Sequence, residues 1–388
     1  MRRSRTAVAL AGGVLAALLA PLATAAPAVA GPRPDPGREC TLTHATISAT
    51  ARPHAPLTDL FTTYADAGAG WTGADSTYSV PLRDGRLVWI FSDTFLGPVA
   101  EDGSRPEDTP FLNNSLLVQD WGHLRTVTGG TRQEPTSLVG PTDDADWHWF
   151  GAGLPTPSGD LQVGVLGFDR LGEGQWDWEW SHNSLATIDT ETWDVTDLAP
   201  LPSEAGVQWA SWYARTGPGG TVYVYGVEDL GEEKYLHVAK VLGGDLTDPD
   251  TWRYWDGTGW TRQETGSARV LPDVANEYSV TPYRDGYLLI TQDTSEPFSP
   301  AVEAYVACSP QGPFRHATTL FDMPEVGPEG SYGNPNVIGY NAHEHPELRS
   351  EDTLTVTYNV NSLQNTDLYD DVSIYRPRFV EVTLDVEP

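Results

Sequence analysis

Basic residues are scarce in this chain: 23 Lys and Arg stand against 54 Asp and Glu in 388 residues, a formal net charge of −31. A surface so acidic repels phosphate backbones and anionic lipid, which excludes nucleic acid and membrane surfaces as partners and suits a neutral ligand better than an anionic one. Cysteine is nearly absent, with only Cys40 and Cys308, so at most one internal disulfide can form. Metal signatures are missing too. His343-Glu344-His345 reads as a loop, with neither a partnering cysteine nor the helical HExxH spacing of a zinc site. No Gly-rich phosphate loop, Gly-x-Ser-x-Gly elbow or dinucleotide fingerprint occurs. The sequence also lacks any long amphipathic helical period, and after residue 38 it lacks a second linker. What remains is one all-β domain of short strands punctuated by Gly, Pro, Asp and Asn.

The N-terminus reads as a secretory leader over residues 1–30. Arg2, Arg3 and Arg5 precede an apolar run from Ala7 to Leu19, and Ala28-Val29-Ala30 offers a small-residue cleavage site. The run is short and broken by Pro21, unlike a membrane span. A secreted, extracellular, monomeric protein is expected, with a linker or strap over 31–59 and the folded domain over 60–388. In an oxidising compartment Cys40 and Cys308 either pair, tying the strap to a late part of the fold, or stay as two separate thiols.

A repeat organises the domain. Trp71 to Thr94 (WTGADSTYSVPLRDGRLVWIFSDT) and Asn276 to Thr294 (NEYSVTPYRDGYLLITQDT) share Tyr-Ser-Val, Asp-Gly and Asp-Thr in the same order. Each is a β-rich run, an Asp-Gly turn and a second β-rich run, which is a hairpin signal. Grouping the other runs on this template gives five units, beginning near Ser76, His148, Val207, Tyr278 and Gly333. The expected fold is a five-bladed β-propeller, with a β-sandwich or jelly roll as the alternative.

In a propeller, residues before each blade's first strand and after its second meet in one funnel. Those residues include Trp71, Asp75, Asp93 and Asn114 from unit one, and Asp146, Trp147 and His148 from unit two. Later units add Trp209, Glu277, Asp293, Tyr332 and Asn334. Indole faces stack on sugar rings while carboxylates and amides satisfy hydroxyls, so the set describes a carbohydrate site. Asp75 is expected beside Asp93 and Glu277 beside Asp293. Because Asp-Thr recurs after both second strands, Asp93 and Asp293 read first as turn caps and second as site residues. Trp176, Trp178 and Trp180 alternate, forming either a sugar platform or a packing face.

Trp71-Thr72-Gly73-Ala74-Asp75, Trp89 to Gly97 (WIFSDTFLG), Asn113-Asn114-Ser115 and Ala307 to Phe314 (ACSPQGPF) resemble secreted actinobacterial proteins grouped as a domain of unknown function. That group is similar to the five-bladed propeller glycosidases, including arabinan- and fructan-cleaving enzymes and the endo-D-arabinofuranase family. The resemblance, spanning most of residues 60 to 382, implies a glycoside hydrolase whose nucleophile or base is Asp75 and whose proton donor is Glu277. Asp93 is a further catalytic candidate, and the other funnel residues are substrate contacts. It implies no cofactor, with a structural calcium in the channel as an option that Asp and Asn oxygens would suit. Its substrate would be a neutral polysaccharide or oligosaccharide, arabinofuranose-containing by resemblance alone. One departure stands out: unit three opens with Val207-Gln208-Trp209, where many such enzymes place their acid, leaving Glu228 or Glu277 for that role. The alternative is a propeller that binds glycan without cutting it.

Overall fold

A computed structural model describes residues 40–174, 176–216 and 220–387. The expected leader over 1–30 lies outside them. Five antiparallel sheets form the five blades of a β-propeller. Blade one runs Trp71–Pro81, Leu87–Leu96, Ser115–Asp120 and His123–Val127 from the axis outward. Blade two runs Trp147–Pro155, Leu161–Arg170, Trp178–Ile188 and Val195–Pro200. Blade three runs Val207–Thr216, Thr221–Asp229, Lys234–Val241 and Trp252–Trp255, and blade four Ser279–Tyr283, Gly286–Gln292, Ala301–Ala307 and Arg315–Asp322.

Blade five closes the ring with strands from both ends of the chain. Val337–Glu344, Thr353–Ser362 and Pro377–Glu387 are followed outward by Thr46–Pro53, which pairs antiparallel with the last strand from Thr46↔Glu387 to Pro53↔Val380. Residues read as a strap are thus the outer edge of a blade, a closure that removes one exposed sheet edge. Cys40 and Cys308 are disulfide-bonded, their Cα atoms 5.7 Å apart, which fastens the segment before this strand to blade four.

Strand residues that alternate inward, such as Val163 and Val165 or Val222 and Val224, are buried between neighbouring blades. An outermost strand such as Arg315–Asp322 is polar and largely exposed, so no apolar run marks it in the sequence, whereas blade three's Trp252–Trp255 buries Trp252 and Tyr254. A helix, Ala55–Asp66, fills the corner between blades five and one. His54 caps it by accepting from the Leu57 N–H, and Leu57, Phe61 and Ala65, each four residues on, share its buried face. Phe61 packs edge-on against Trp71 and Trp89. Burying a side chain of this size stabilises by about 1.5–3 kcal/mol, and Phe61→Ala would cost about 3–5 kcal/mol through the cavity it leaves.

Candidate active site

One face of the propeller opens into a funnel of about 1730 Å³, lined by the first strands and by the loops joining second to third strands. Its floor carries three carboxyl groups: Asp75, Asp93 and Glu277.

Asp75 is presented by a distorted strand. Ser76 and Thr77, both non-glycine, hold φ of 71° and 69°, and the pairing of blade one's first two strands slips between Ala74↔Thr94, Ser76↔Phe91 and Tyr78↔Ile90. Left-handed residues of this kind cost on the order of 1–3 kcal/mol each and persist where the surroundings enforce them. Here the bulge turns the chain so that Asp75 faces Asp93 across the hairpin. Tyr340 and Tyr375 both donate to Asp75 Oδ2 at 3.0 Å. Burial holds both phenols well above their usual range, so they stay protonated and each has a proton to donate to the carboxylate. Burial raises Asp75 to about 6 against these opposing hydrogen bonds. Its Oδ1 is buried and has no hydrogen-bond partner among the described residues.

Asp93 Oδ1 accepts from Asn113 Nδ2 at 2.9 Å and Trp149 Nε1 at 2.8 Å. Burial first, and the Asp75 charge second, raise its carboxyl to about 8. Two facing acids cannot both ionise cheaply, so near neutral pH the pair shares one proton.

Glu277 enters from blade four, two residues before its first strand. Burial holds its carboxyl well above the carboxylate range, with the Asp75 charge adding to the rise. Proton counting gives the same answer. Ser92 Oγ is 2.8 Å from the Phe150 carbonyl, to which it can only donate. Ser76 Oγ, 2.8 Å from Ser92 Oγ, must then donate to Ser92, since each hydroxyl has one proton. The contact of 2.6 Å between Ser76 Oγ and Glu277 Oε1 is therefore satisfied when Glu277 holds the proton. Ionisation would swing the Ser76 hydroxyl to Glu277 and break its bond to Ser92. Glu277 Oε2 has no hydrogen-bond partner among the described residues. Its neighbour His343 Nδ1 lies 4.0 Å away, on a ring that burial pushes down to about 4 and so keeps neutral.

Of the expected sugar contacts, Asp146 and Trp147 line the funnel. Asp146 also accepts from the Arg170 N–H, and the Arg170 guanidinium lies over the Trp147 ring. The others lie elsewhere. Trp71 is buried against Phe61 and Phe91. Trp209 is buried and donates its indole N–H to Glu264. Asn114 bridges the Val139 and His148 carbonyls, and His148 is itself buried with Nδ1 against the Gly140 carbonyl. Asp293 caps its own turn through Ser295 and Ser299, so it is Ser76, not Asp293, that stands beside Glu277. Tyr332 contacts Ser373 and Arg378, and Asn334 donates to Asp367.

The offset in blade five has a simple cause. Its first strand begins at Val337 and not near Gly333, which moves the funnel position to Tyr340. Tyr375 was illegible because it arrives on a short 3₁₀ turn, Val372–Tyr375, inside the long loop between that blade's second and third strands. Asn113 and Trp149 each neighbour a residue that the sequence singled out, and the alternation of strand side chains decides between them. Glu228 is tied to Arg269, which holds it below its usual range, and does not line the funnel.

His343-Glu344-His345 is strand, not loop, through Glu344. Its members lie beneath the floor: Glu344 pairs with Arg349, and His345 contacts Ser79 and Thr357. Among the described residues no group of three His, Cys, Asp or Glu side chains is placed to hold a metal ion, and no helix is long and apolar enough to cross a membrane.

Residues 58–384 match the family described as Domain of unknown function (DUF5005), and the chain belongs to that family. No curated protein sequence matches it significantly. Among solved structures the fold is similar to that of a Bacteroides ovatus protein provisionally described as a hydrolase, at a TM-score of 0.71 and 19% identity, over 89% of this chain and 95% of that one. It is also similar to the inulosucrase of Halalkalicoccus jeotgali solved with kestose, at a TM-score of 0.50 and 17% identity, over 83% and 88% of the two chains. An α-L-arabinofuranosidase of Clostridium thermocellum matches at 9% identity and a TM-score of 0.35, over 64% of this chain and 74% of that one, a likeness too distant to bear on substrate. What these likenesses share with this chain is the fold.

Proposed function

We propose that this protein is a secreted glycoside hydrolase acting on a neutral polysaccharide or oligosaccharide, with arabinofuranose-containing glycan as the first substrate to try. The observation that carries the reading is three buried carboxyls on one funnel floor in different surroundings: Asp75 under two tyrosine hydroxyls, Asp93 against Asn113 and Trp149, and Glu277 against Ser76, with burial raising all three. Glycoside cleavage needs one carboxylic acid for the leaving oxygen and one carboxylate for the anomeric carbon or its attacking water. Glu277 supplies the proton as the C–O bond to the leaving group breaks. Asp75 Oδ1, unpartnered while two tyrosines steady Oδ2, supplies the electron pair, directly or through water. Asp93, sharing one proton with Asp75, limits the aspartate pair to a single negative charge. The indoles of Trp147, Trp149 and Trp178 wall the blade-two side of the funnel, suited to the apolar faces of sugar rings. Secretion rests on residues 1–30 and is tested by N-terminal sequencing of exported protein, expected to begin at Gly31.

The functional test is reducing-sugar release from arabinan, arabinogalactan, fructan, xylan and mannan by the chain from Gly31, beside Asp75→Asn and Glu277→Gln. Release lost in both variants supports the carboxylate pair. A glycan that raises Tm yet is never cut would replace the hydrolase with a glycan-binding propeller.

A further inference from the structure

Eight large apolar side chains are exposed among the described residues, and six of them stand on the loops between second and third strands, the loops that ring the funnel mouth. Each blade contributes: Phe111 from blade one, Leu171 and Trp176 from blade two, Leu230 from blade three, Phe298 from blade four and Leu363 from blade five. Isolated exposed apolar residues need no explanation, but a set confined to one rim does. Phe111, Trp176 and Phe298, exposed by 47%, 59% and 43%, also line the funnel itself. Whatever enters the funnel meets them.

The occupant must satisfy two further features. The cavity of about 1730 Å³ exceeds the roughly 300–1,000 Å³ typical of sites for one small ligand. The apolar groups alternate around the mouth with Glu173, Glu232, Glu233 and Glu296, which repel anionic lipid and anionic polymer alike. An extended uncharged chain of sugar rings, apolar on its faces and hydroxylated at its edges, matches both. Blades two and four lie on opposite sides of blade three in the ring, so Trp176 and Phe298 can grip such a chain at two points. The carboxyls of blades one and four lie between and below.

We infer that the rim holds a polysaccharide across the funnel mouth, with Trp176 and Phe298 as stacking contacts on either side of the floor, so that the protein takes an internal segment of a polymer and not a free chain end. The position of the cut rests on the hydrolase reading; the grip rests on the rim alone. Two measurements separate them. In affinity electrophoresis with linear arabinan, inulin, levan, xylan or mannan in the gel, Glu277→Gln is expected to be retarded by one polymer. Adding Trp176→Ala or Phe298→Ala should weaken that retardation about five- to tenfold. Leu242→Ala, which removes an exposed apolar residue of the opposite face, should leave it unchanged. On the active protein, the same two rim changes should raise KM for the polymer with kcat retained, and leave the matching trisaccharide nearly unaffected.

Retardation lost without any cleavage by the unmodified protein would keep the grip and sink the hydrolase. Cleavage of a polymer that both rim variants handle normally, equal losses on polymer and trisaccharide, or products released only from chain ends would each overturn the inference while leaving the hydrolase standing. A protein that retards on no polymer overturns it as well, and points the rim toward a protein partner.

Discussion

Blade one and blade four open with the same hairpin motif, and the two copies do different work. In blade one the second strand continues through Asp93 to Leu96, so Asp93 stays in the pleat and meets Asn113 and Trp149 over the funnel. In blade four that strand ends at Gln292, and Asp293 turns back to cap Ser295. The Asp-Gly pair diverges as well. Gly85 takes a φ of 92°, whereas in blade four Arg284 takes the left-handed position at 50° and Gly286 is needed because a Cβ there would lie 2.4 Å from the Ala307 carbonyl. Asp285 is then free to accept from the Thr41 and Leu42 N–H groups, pinning the N-terminal segment close to the disulfide. The copy with the longer strands and the bulge holds two site acids. The shorter copy lends a single acid from two residues before its first strand and otherwise anchors the closure. Repetition fixes the scaffold, and local strand length decides which repeat carries chemistry.

The contrast can be broken at graded cost. Asp75→Asn or Glu277→Gln should lower kcat by 10³-fold or more with the fold retained, since each removes one side chain that acts at the reacting bond; circular dichroism beside initial rates checks this. Next in size, Cys40→Ser with Cys308→Ser should reduce stability by about 2–5 kcal/mol in denaturant titration while leaving turnover alone, because the bond fastens the closure and not the floor.

The paired aspartates sharpen the comparison further. With Asp75 raised to about 6 and Asp93 to about 8, activity should rise with pH through about 6 and fall through about 8. Asp93→Asn should remove the descending step, and Asp293→Asn should leave the profile unchanged. The same groups set a sign for stability. A carboxyl whose folded pKa lies above its unfolded value binds more protons in the native state, so stability is greatest below the unfolded pKa and declines from about pH 4 to about pH 8. Asp93→Asn should therefore raise Tm at pH 8 by about 2 °C or more, whereas Asp293→Asn, which keeps the Oδ1 acceptor for the Ser295 N–H but loses the Oδ2 acceptor for the Ser295 and Ser299 hydroxyls, should lower it slightly. A scan of Tm against pH for both variants reads the outcome.

Much of this architecture was legible before any coordinates. Inner and middle strands announced themselves because burial on both faces demands β-branched and aromatic runs, as in Leu161–Arg170 or Gly286–Gln292. Fourth strands did not, since an outer strand such as Val195–Pro200 is half-exposed and polar. The helix at Ala55–Asp66 was missed because twelve residues with three buried positions make too short a period to stand out. At the site, hairpin geometry on a propeller placed Asp75, Asp93 and Glu277 at the funnel, while their catalytic roles came from the family resemblance. Their partners Tyr340 and Tyr375 were not: they lie 265 and 300 residues from Asp75, and one sits on a loop whose path no local pattern encodes.

The sequence by itself determined the propeller, the acidic surface and the three carboxyls, because period-two burial, Asp-Gly turns and composition are local properties that each short segment carries alone. Only the tertiary structure decided which of two identical Asp-Thr pairs faces the funnel, which tryptophans are core, and which acid keeps its proton. Those outcomes depend on burial, on the distance between charges and on hydrogen-bond donors brought together from opposite ends of the chain.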